Sequence, residues 1–186
     1  MTQPRVPRAD AVRNRARLLE VAYATFAAEG LGVPVDEIAR RAGVGAGTVY
    51  RHFPTKDALF AAIITDRLSR HTRVAAEVAE QHEPGPAFFA FLDWVVRDGV
   101  GDHGLMQALA GTGFDLAAEV PEAERQWVAA VERLLKAAQR AGAVRSDLTA
   151  VDIKAVVVGY QAMLRHQDDP TTADRLLDVL HAGLAP

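Results

Sequence analysis

The chain has 186 residues, 49% hydrophobic and 24% charged, which is typical of a folded globular protein and argues against a disordered one. The absence of cysteine excludes disulfide bonds, thiolate metal sites and cysteine nucleophiles. No uncharged apolar run reaches the roughly 18 residues that a membrane-spanning helix needs, and the polar N-terminus lacks a secretion signal. We therefore expect a soluble protein of the cytoplasm.

Charge is distributed unevenly along the chain. Residues 1–60 carry nine Lys and Arg against six Asp and Glu, a net charge of +3. Residues 61–186 carry 12 against 18, a net charge of −6, so that the sum is −3. A basic first third suggests that this end of the molecule meets a polyanion. Ordinary solvated charge is the alternative.

Apolar residues recur with a helical period nearly throughout the chain, which predicts an all-α protein of about nine helices. The first helix is expected over residues 11–29, because Leu19 and Phe26 share one face. Asp10 is its expected N-cap, and Gly30 is expected to follow its last turn.

Two short helices are predicted next, over residues 35–42 and 46–52, with a tight turn at Gly43. Val49 and Phe53 should point inward and hold the second short helix across the first. Two short helices joined in this way describe a helix-turn-helix.

The outer edge of the second short helix is expected to carry Gly47, Thr48 and Arg51, with Tyr50 and His52 on its flanks. An edge with these small, polar and cationic groups suits the major groove of DNA, where hydrogen bonds read the bases. A packing role for Tyr50 and a merely solvated Arg51 are the alternatives.

Two further residues add to this hypothesis. Ala46 presents only a methyl group, which can contact a thymine. Lys56 lies at the start of the next helix, beside free backbone N–H groups that favour an anion such as phosphate.

The rest of the chain also predicts helices. A long fourth helix is expected to be capped by Thr55, and its apolar pattern ends by Gln81. The segment Glu83-Pro84-Gly85-Pro86 is the clearest break in the predicted helices. We place the domain boundary at that break. Later helices are expected over residues 87–96, 105–110, 122–141, 151–167 and 172–184.

The sequence GVGAGTVYRHFPTKDAL over residues 43–59, with the preceding Leu18-Leu19, Phe26, Gly30 and Ile38-Ala39, closely resembles the DNA-binding domain of TetR-type transcriptional regulators. The resemblance covers about residues 11–65. It implies an all-helical homodimer that binds palindromic operators and carries a variable C-terminal domain for ligand binding and dimerisation. By position, it implies DNA contacts through Ala46, Gly47, Thr48, Tyr50, Arg51, His52 and Lys56. Pro34-Val35 departs from the family pattern, since many relatives have a capping Thr or Ser there that touches phosphate.

The predicted helices and the break near residue 83, together with the resemblance, give a domain organisation. We expect a flexible basic arm over residues 1–10, a helix-turn-helix DNA-binding domain over 11–54, a connecting helix over 55–83, and a ligand-binding and dimerisation domain over 84–186. The expected function is that of a sequence-specific transcriptional regulator, a repressor that a small-molecule effector releases from double-stranded operator DNA. A helical sensor without operator binding and a helical enzyme with an incidental helix-turn-helix are the rival hypotheses.

Two sets of residues are predicted to serve the C-terminal domain. The candidate ligand pocket is aromatic and methionine-rich, and it consists of Phe88, Phe91, Trp94, Met106, Phe114, Trp127, Tyr160 and Met163. The alternative is that these residues form a plain hydrophobic core. The last two helices offer small and apolar residues that a subunit partner would cover, and the resemblance implies a four-helix dimer interface there: Ala155, Gly159, Ala162, Leu176, Val179 and Leu180.

Other chemistries find little support in the sequence. The glycines over residues 43–48 follow a charged helix and not the strand that a nucleotide-binding loop requires. Asp98, Asp102 and His103 have metal-binding side chains but no helical i, i+4 ligand pair. No catalytic motif is recognisable, so we expect no enzyme activity, no cofactor and no metal.

The arginines of the first third have a weaker interpretation. Arg13, Arg15 and Arg17 are expected to be solvated, with phosphate contact as the alternative. Arg5 and Arg8 are expected to lie in a spectator tail, although a similar arm can reach a minor groove.

Overall fold

The computed structural model describes residues 7–98, 105, 115–164 and 170–186. Every regular element in these residues is an α-helix. The helices are α1 (Pro7–Glu29), α2 (Val35–Ala42), α3 (Ala46–His52), α4 (Lys56–Gln81), α5 (Pro84–Asp98), α6 (Leu116–Glu119), α7 (Pro121–Arg140), α8 (Ala150–Leu164) and α9 (Pro170–Leu184). The all-α prediction is thus confirmed.

The chain divides into two compact units, and the division falls between Asp66 and Arg67, within α4. The described residues up to Asp66 belong to the first unit. Those from Arg67 to Asp98 and from Leu116 onward belong to the second. The predicted boundary after residue 83 was based on a proline-rich break, which does not coincide with this division.

The first unit has its own hydrophobic core. Leu19 and Phe26 of α1 are buried together with Ile38 of α2 and with Phe60 of α4. The rings of Phe26 and Phe60 meet edge to face, with their centroids 4.9 Å apart. This core supports the two short helices α2 and α3, which could not bury enough apolar surface by themselves.

Two helix starts differ from the prediction. Asp10 does not cap α1, because the helix begins at Pro7 and so includes residues assigned to the flexible arm. Similarly, Pro84 opens α5 and does not lie in a break. In both cases a proline begins the helix, where its missing N–H costs no hydrogen bond and its fixed φ suits the first turn.

The second unit packs around aromatic and aliphatic side chains of α5, α7 and α8. Phe88 and Phe91 of α5, Trp127 of α7 and Tyr160 of α8 belong to one buried cluster. The buried amide of Gln161 donates from Nε2 to the backbone carbonyl of Val95 at 3.0 Å, which ties α8 to α5.

Asp98, at the end of α5, takes part in ion pairs of the second unit. Its Oδ2 accepts a hydrogen bond from Arg67 Nη2 at 2.5 Å, and its Oδ1 lies 3.4 Å from Arg70 Nη2. No group of three or more potential metal-ligating side chains occurs among the described residues. No helix in the described part of the chain is long and apolar enough to cross a membrane.

Several predictions fall on residues outside this description. They concern the helix expected over 105–110 apart from Leu105, the candidate pocket residues Met106 and Phe114, and Asp102 and His103. The short helix α6 was not predicted from the sequence.

Candidate nucleic-acid interface

The turn between α2 and α3 is built on Gly43, which has φ 67° and ψ 31°. The N–H of Gly43 donates to the Arg40 carbonyl at 3.2 Å, and the N–H of Val44 donates to the Ala39 carbonyl at 3.0 Å. This pair of bonds is a Schellman motif, which ends a helix with a left-handed residue. The predicted glycine turn is therefore confirmed, and it sets the direction in which α3 leaves α2.

The orientation of α3 follows from its inward side chains. Val49 is fully buried and Phe53 is 5% exposed, as the sequence predicted. Gly47, Arg51 and His52 are exposed, and Tyr50 has an exposed fraction of 45%. The outer edge of α3 is thus presented to solvent, with Ala46 and Thr48 half-buried beside it.

Arg51 is held against its own helix. Its Nε donates to the Gly47 carbonyl at 3.1 Å, and its Nη2 donates to Thr48 Oγ1 at 3.1 Å. A Cβ at Gly47 would meet no atom within 4 Å, so the space outside this residue is open. The guanidinium therefore has a defined position at the edge of α3.

The Tyr50 hydroxyl lies within electrostatic range of the Asp36 carboxylate, in the first turn of α2. Partial desolvation, together with the negative charge of Asp36, raises the pKa of Tyr50. Sequence reasoning missed Asp36, because its proximity to Tyr50 arises only when α2 and α3 pack together.

Lys56, the first residue of α4, binds backbone carbonyls of the same domain. Its Nζ donates to the Leu31 carbonyl and, at 3.0 Å, to the Val33 carbonyl. It also lies 5.4 Å from the centre of the Phe26 ring. A cation at a helix N-terminus is disfavoured by the helix dipole, and these contacts offset that cost. Whether Lys56 also contacts phosphate stays a prediction.

The start of α2 lacks a side-chain cap. Pro34 occupies the N-cap position without a side-chain hydrogen bond, as its departure from the family pattern indicated. The Pro34 carbonyl still accepts hydrogen bonds from the N–H groups of Glu37 at 3.1 Å and Ile38 at 3.3 Å. Asp36 and Glu37 in the first turn complement the positive end of the helix dipole.

The end of α2 is joined to α1 by ion pairs. The carboxylate of Glu37 accepts hydrogen bonds from Arg40 and Arg41, each at 2.7 Å. Arg41 also reaches α1, where its Nη2 donates to Glu29 Oε2 at 3.2 Å. Hydrogen bonds from Arg40 and Arg41 lower the pKa of Glu37 to about 2. Arg41 thus positions α2 against α1, whereas Arg40 pairs within α2.

A small pocket lies between α1 and α3. It has a volume of about 140 Å³. Its polar lining comes from Asn14 and Arg15 of α1 and from Thr48 and His52 of α3. The Arg15 guanidinium lies 5.7 Å from the centre of the Phe53 ring. The sequence signal for this pocket was weak, since Arg15 was one of three arginines expected to be solvated.

The candidate ligand-pocket residues in the second unit are mostly packed. Phe88, Phe91, Trp127 and Tyr160 are each at most 7% exposed and belong to the buried cluster. Trp94 packs against that cluster, and its ring lies edge to face with the buried His71, with centroids 5.2 Å apart.

A cavity of about 410 Å³ occurs elsewhere in the second unit, between α4, α5 and α7. Its lining includes Ala76 and Ala79 of α4, Ala87 of α5, and Ala137 of α7, with Arg133 among its polar residues. None of the described candidate pocket residues lines it. The candidate pocket was chosen from aromatic residues and methionines, and this cavity is lined largely by alanines. Sequence reasoning therefore missed it.

The predicted dimer residues lie on α8 and α9. Gly159, Leu176, Val179 and Leu180 line one apolar groove together with Val156, Tyr160 and Met163. Val179 is 68% exposed and Met163 is 47% exposed. Ala155 is exposed and Ala162 is half-buried, both outside the lining of this groove. The face is apolar and uncovered in the single chain.

Comparison with known proteins adds independent findings. The family described as "Bacterial regulatory proteins, tetR family" matches residues 18–63, and the "Transcriptional regulator SbtR-like, C-terminal domain" matches residues 83–186. A helix-turn-helix-type transcriptional regulator of Staphylococcus aureus strain USA300 is 29% identical over 104 residues, which are 55% of this chain and 56% of the relative. The chain thus spans about half the length of this curated relative. A second, from strain RF122, is 43% identical over 53 residues, which are 28% of this chain and 29% of the relative.

Solved structures resemble the chain over nearly its whole length. A TetR transcription regulatory protein from Mycobacterium vanbaalenii is 51% identical, with a TM-score of 0.77 and coverage of 96% of this chain and 99% of that one. The TetR transcriptional regulator SCO0520 from Streptomyces coelicolor is 30% identical, with a TM-score of 0.75 and coverage of 92% and 98%.

The fold and the exposed edge of α3, taken with these findings, define a DNA-binding transcriptional regulator of the helix-turn-helix type. Both halves of the chain match regulators of one kind, and the C-terminal match alone spans more than half of the residues. The chain belongs to the TetR family of bacterial transcriptional regulators.

Proposed function

We propose that the protein is a homodimeric repressor that binds a near-palindromic operator and leaves it when a small-molecule effector binds. The observation that carries this proposal is the exposed edge of α3, where Gly47, Thr48, Tyr50 and Arg51 surround a backbone with open space outside it. Two such edges related by a two-fold axis require two half-sites of opposite orientation.

Each α3 would enter one major groove. Arg51 has the donors for a guanine, and the methyl group of Ala46 can contact a thymine. Tyr50, His52 and Lys56 lie at the margins, where phosphate contacts would set the register of the helix. Thr48 adds a hydroxyl that can contact either a base edge or a phosphate.

The apolar groove of α8 and α9 is the proposed dimer interface. Val179 and Met163 would lose their exposure to water on association, which is favourable in proportion to the apolar area removed. Gly159 allows close approach of a partner helix, because a Cβ there would meet no atom within 4 Å of its own chain.

Effector release requires that the effector bind the DNA-competent and DNA-incompetent states with different affinities. A coupling of about 1–3 kcal/mol would change operator affinity roughly 5- to 150-fold. The cavity of about 410 Å³ lies within the size range of small-molecule sites, which starts near 300 Å³. We therefore propose it as the effector site in preference to the packed aromatic residues.

Selection of binding sites from random double-stranded DNA tests the central proposal. We expect one enriched palindrome with half-sites separated by about one helical turn. A protein that enriches no site would be a sensor without operator binding, and the proposal would fail. A small-molecule screen for release of the selected site then tests the effector step.

The effector site is tested by filling the cavity. Ala79→Trp should abolish release by an effector found in the screen while it leaves operator binding intact, because Ala79 lines the cavity and is exposed. Ala141→Trp, at an exposed position outside the cavity lining, is the matched control and should respond normally. Equal release of both variants would show that the effector binds elsewhere.

A further inference from the structure

The pocket between α1 and α3 is continuous with the exposed edge of α3, since Thr48 and His52 belong to both. We propose that this pocket binds one phosphate of the DNA backbone beside the groove that α3 enters. The inference rests on the proposed function, and it adds α1 to the DNA-binding surface through Asn14 and Arg15.

The lining has the charge and the donors that a phosphodiester needs. Asn14, Arg15, Thr48 and His52 each carry a side-chain donor, and the remaining lining residues are Leu18, Val44 and Phe53. No carboxylate lines the pocket. A singly charged phosphodiester in the pocket is therefore attracted by the guanidinium of Arg15 and is not repelled by any carboxylate of the lining.

Arg15 is positioned in advance for this contact. Its guanidinium lies over the Phe53 ring, 5.7 Å from the ring centre, and Phe53 is itself buried. A cation–π contact of this kind limits the orientations that the long side chain samples. The planar guanidinium can then offer two parallel N–H groups to two phosphate oxygens.

Thr48 is also oriented by its neighbours. Its Oγ1 accepts a hydrogen bond from Arg51 Nη2 at 3.1 Å. The hydroxyl proton of Thr48 is therefore left to donate to another acceptor, and a phosphate oxygen in the pocket is such an acceptor. Arg51, Thr48 and the phosphate would form one hydrogen-bonded chain from the base edges to the backbone.

The size of the pocket suits one phosphate group. Its volume of about 140 Å³ is several times the roughly 30 Å³ that one water molecule occupies in the liquid. A phosphate held by both helices would fix how far and at what angle α3 enters the groove. It would contribute affinity for every sequence but no preference among bases.

Methylphosphonate scanning of the selected operator tests the proposal. Each phosphate is neutralised in turn, and affinity is measured for the full-length wild type, Arg15→Ala and Arg17→Ala. We expect one phosphate per half-site whose neutralisation weakens wild-type binding about tenfold but weakens Arg15→Ala at most about twofold. Arg17, an exposed arginine on the same helix outside the pocket lining, is the matched control and should behave as wild type.

Two outcomes would overturn the proposal. In the first, wild type and Arg15→Ala lose equal affinity at every neutralised phosphate. In the second, Arg17→Ala becomes insensitive to neutralisation of the same phosphate as Arg15→Ala. Arg15→Gln retains an aliphatic stem that can lie over Phe53 but has no charge, and it replaces the alanine variant if that variant is unstable. If the chain selects no operator, the proposed function fails, and random-sequence duplex still tests the pocket. On random-sequence duplex, Arg15→Ala should reduce the steepness of the plot of log affinity against log salt concentration by about 0.9. An unchanged slope would contradict the phosphate contact of Arg15.

Discussion

Arg51 is bound to its own helix through the Gly47 carbonyl and the Thr48 hydroxyl, so that its guanidinium is already placed at the edge of α3. Replacement by alanine should weaken specific operator binding by about 1–3 kcal/mol and relax the preference at one base pair. The fold should be unaffected, because the side chain is exposed. Titration of the operator and of a single-base variant measures both effects.

Arg51→Lys is the matched variant for that experiment. It retains the charge but loses the planar fork that contacts two acceptors of one base. We expect it to bind non-specific DNA like the wild type and the operator more weakly. Full retention of operator specificity in Arg51→Ala would remove this residue from base recognition.

Lys56 combines a structural contact with a predicted DNA contact. Its ammonium donates to the carbonyls of Leu31 and Val33, so Lys56→Ala should destabilise the N-terminal unit by roughly 1–2 kcal/mol. If Lys56 also binds a phosphate, the salt slope of DNA affinity should fall by about one. Thermal melting and salt titration measure the two roles separately.

Lys56→Gln distinguishes the two roles further. Its amide can still donate to a carbonyl while its charge is gone, so it should retain more stability than Lys56→Ala. A lower melting temperature with an unchanged salt slope in both variants would show that Lys56 is structural and touches no phosphate.

Among the elements, α2 is stabilised by the ion pairs of Glu37 with Arg40 and Arg41 of the same helix. The pKa of Glu37 is lowered from 4.5 to about 2, since its carboxylate is bound by Arg40 and Arg41. A carboxylate whose pKa is lower in the folded protein than in the unfolded one stabilises the fold at every pH above its ordinary pKa. This contribution to stability is lost as the pH falls to the pKa of the folded protein. Acidification from pH 4.5 to 2 should therefore weaken α2.

Glu37→Gln measures this contribution. The melting temperature of the wild type should exceed that of the variant near pH 7, and the difference should vanish by about pH 2. High salt should also reduce the difference, because the ion pairs are partly exposed to solvent. Glu20→Gln changes an exposed carboxylate of α1 and serves as the control. A difference that does not depend on pH would contradict the assignment.

At the scale of the whole molecule, the proposed dimer depends on the apolar face of α8 and α9. Val179→Asp should give a monomer in sedimentation experiments, because the charge would be desolvated in the proposed interface. Operator affinity should fall with it, since two half-sites are then no longer bound together. Val151→Asp is a matched control, because Val151 of α8 is 71% exposed and lies outside the groove lining. A dimeric Val179→Asp protein would place the interface elsewhere.

The helix-turn-helix could be predicted almost residue by residue. Its apolar spacing and its glycine turn are local signals, and the observed bounds Val35–Ala42 and Ala46–His52 match them. The starts of α1 and α5 could not be predicted as well, because Pro7 was assigned to the flexible arm and Pro84 to a break, although proline also opens helices. Local sequence leaves this choice open, and packing of the following turns decides it.

The sequence by itself determined the fold class and the outer edge of α3, because helical periodicity and turn chemistry depend on residues close together in the chain. The motif over residues 43–59 indicated the family by resemblance. Only the tertiary structure decided which side chains from different helices meet. It brought Asp36 to Tyr50, Lys56 to the carbonyls of Leu31 and Val33, and Arg15 to Phe53. It also packed Phe88 and Trp127 into the core and left a cavity among alanines instead. The physical reason is that burial and contact are properties of the packed surfaces, which no single segment contains.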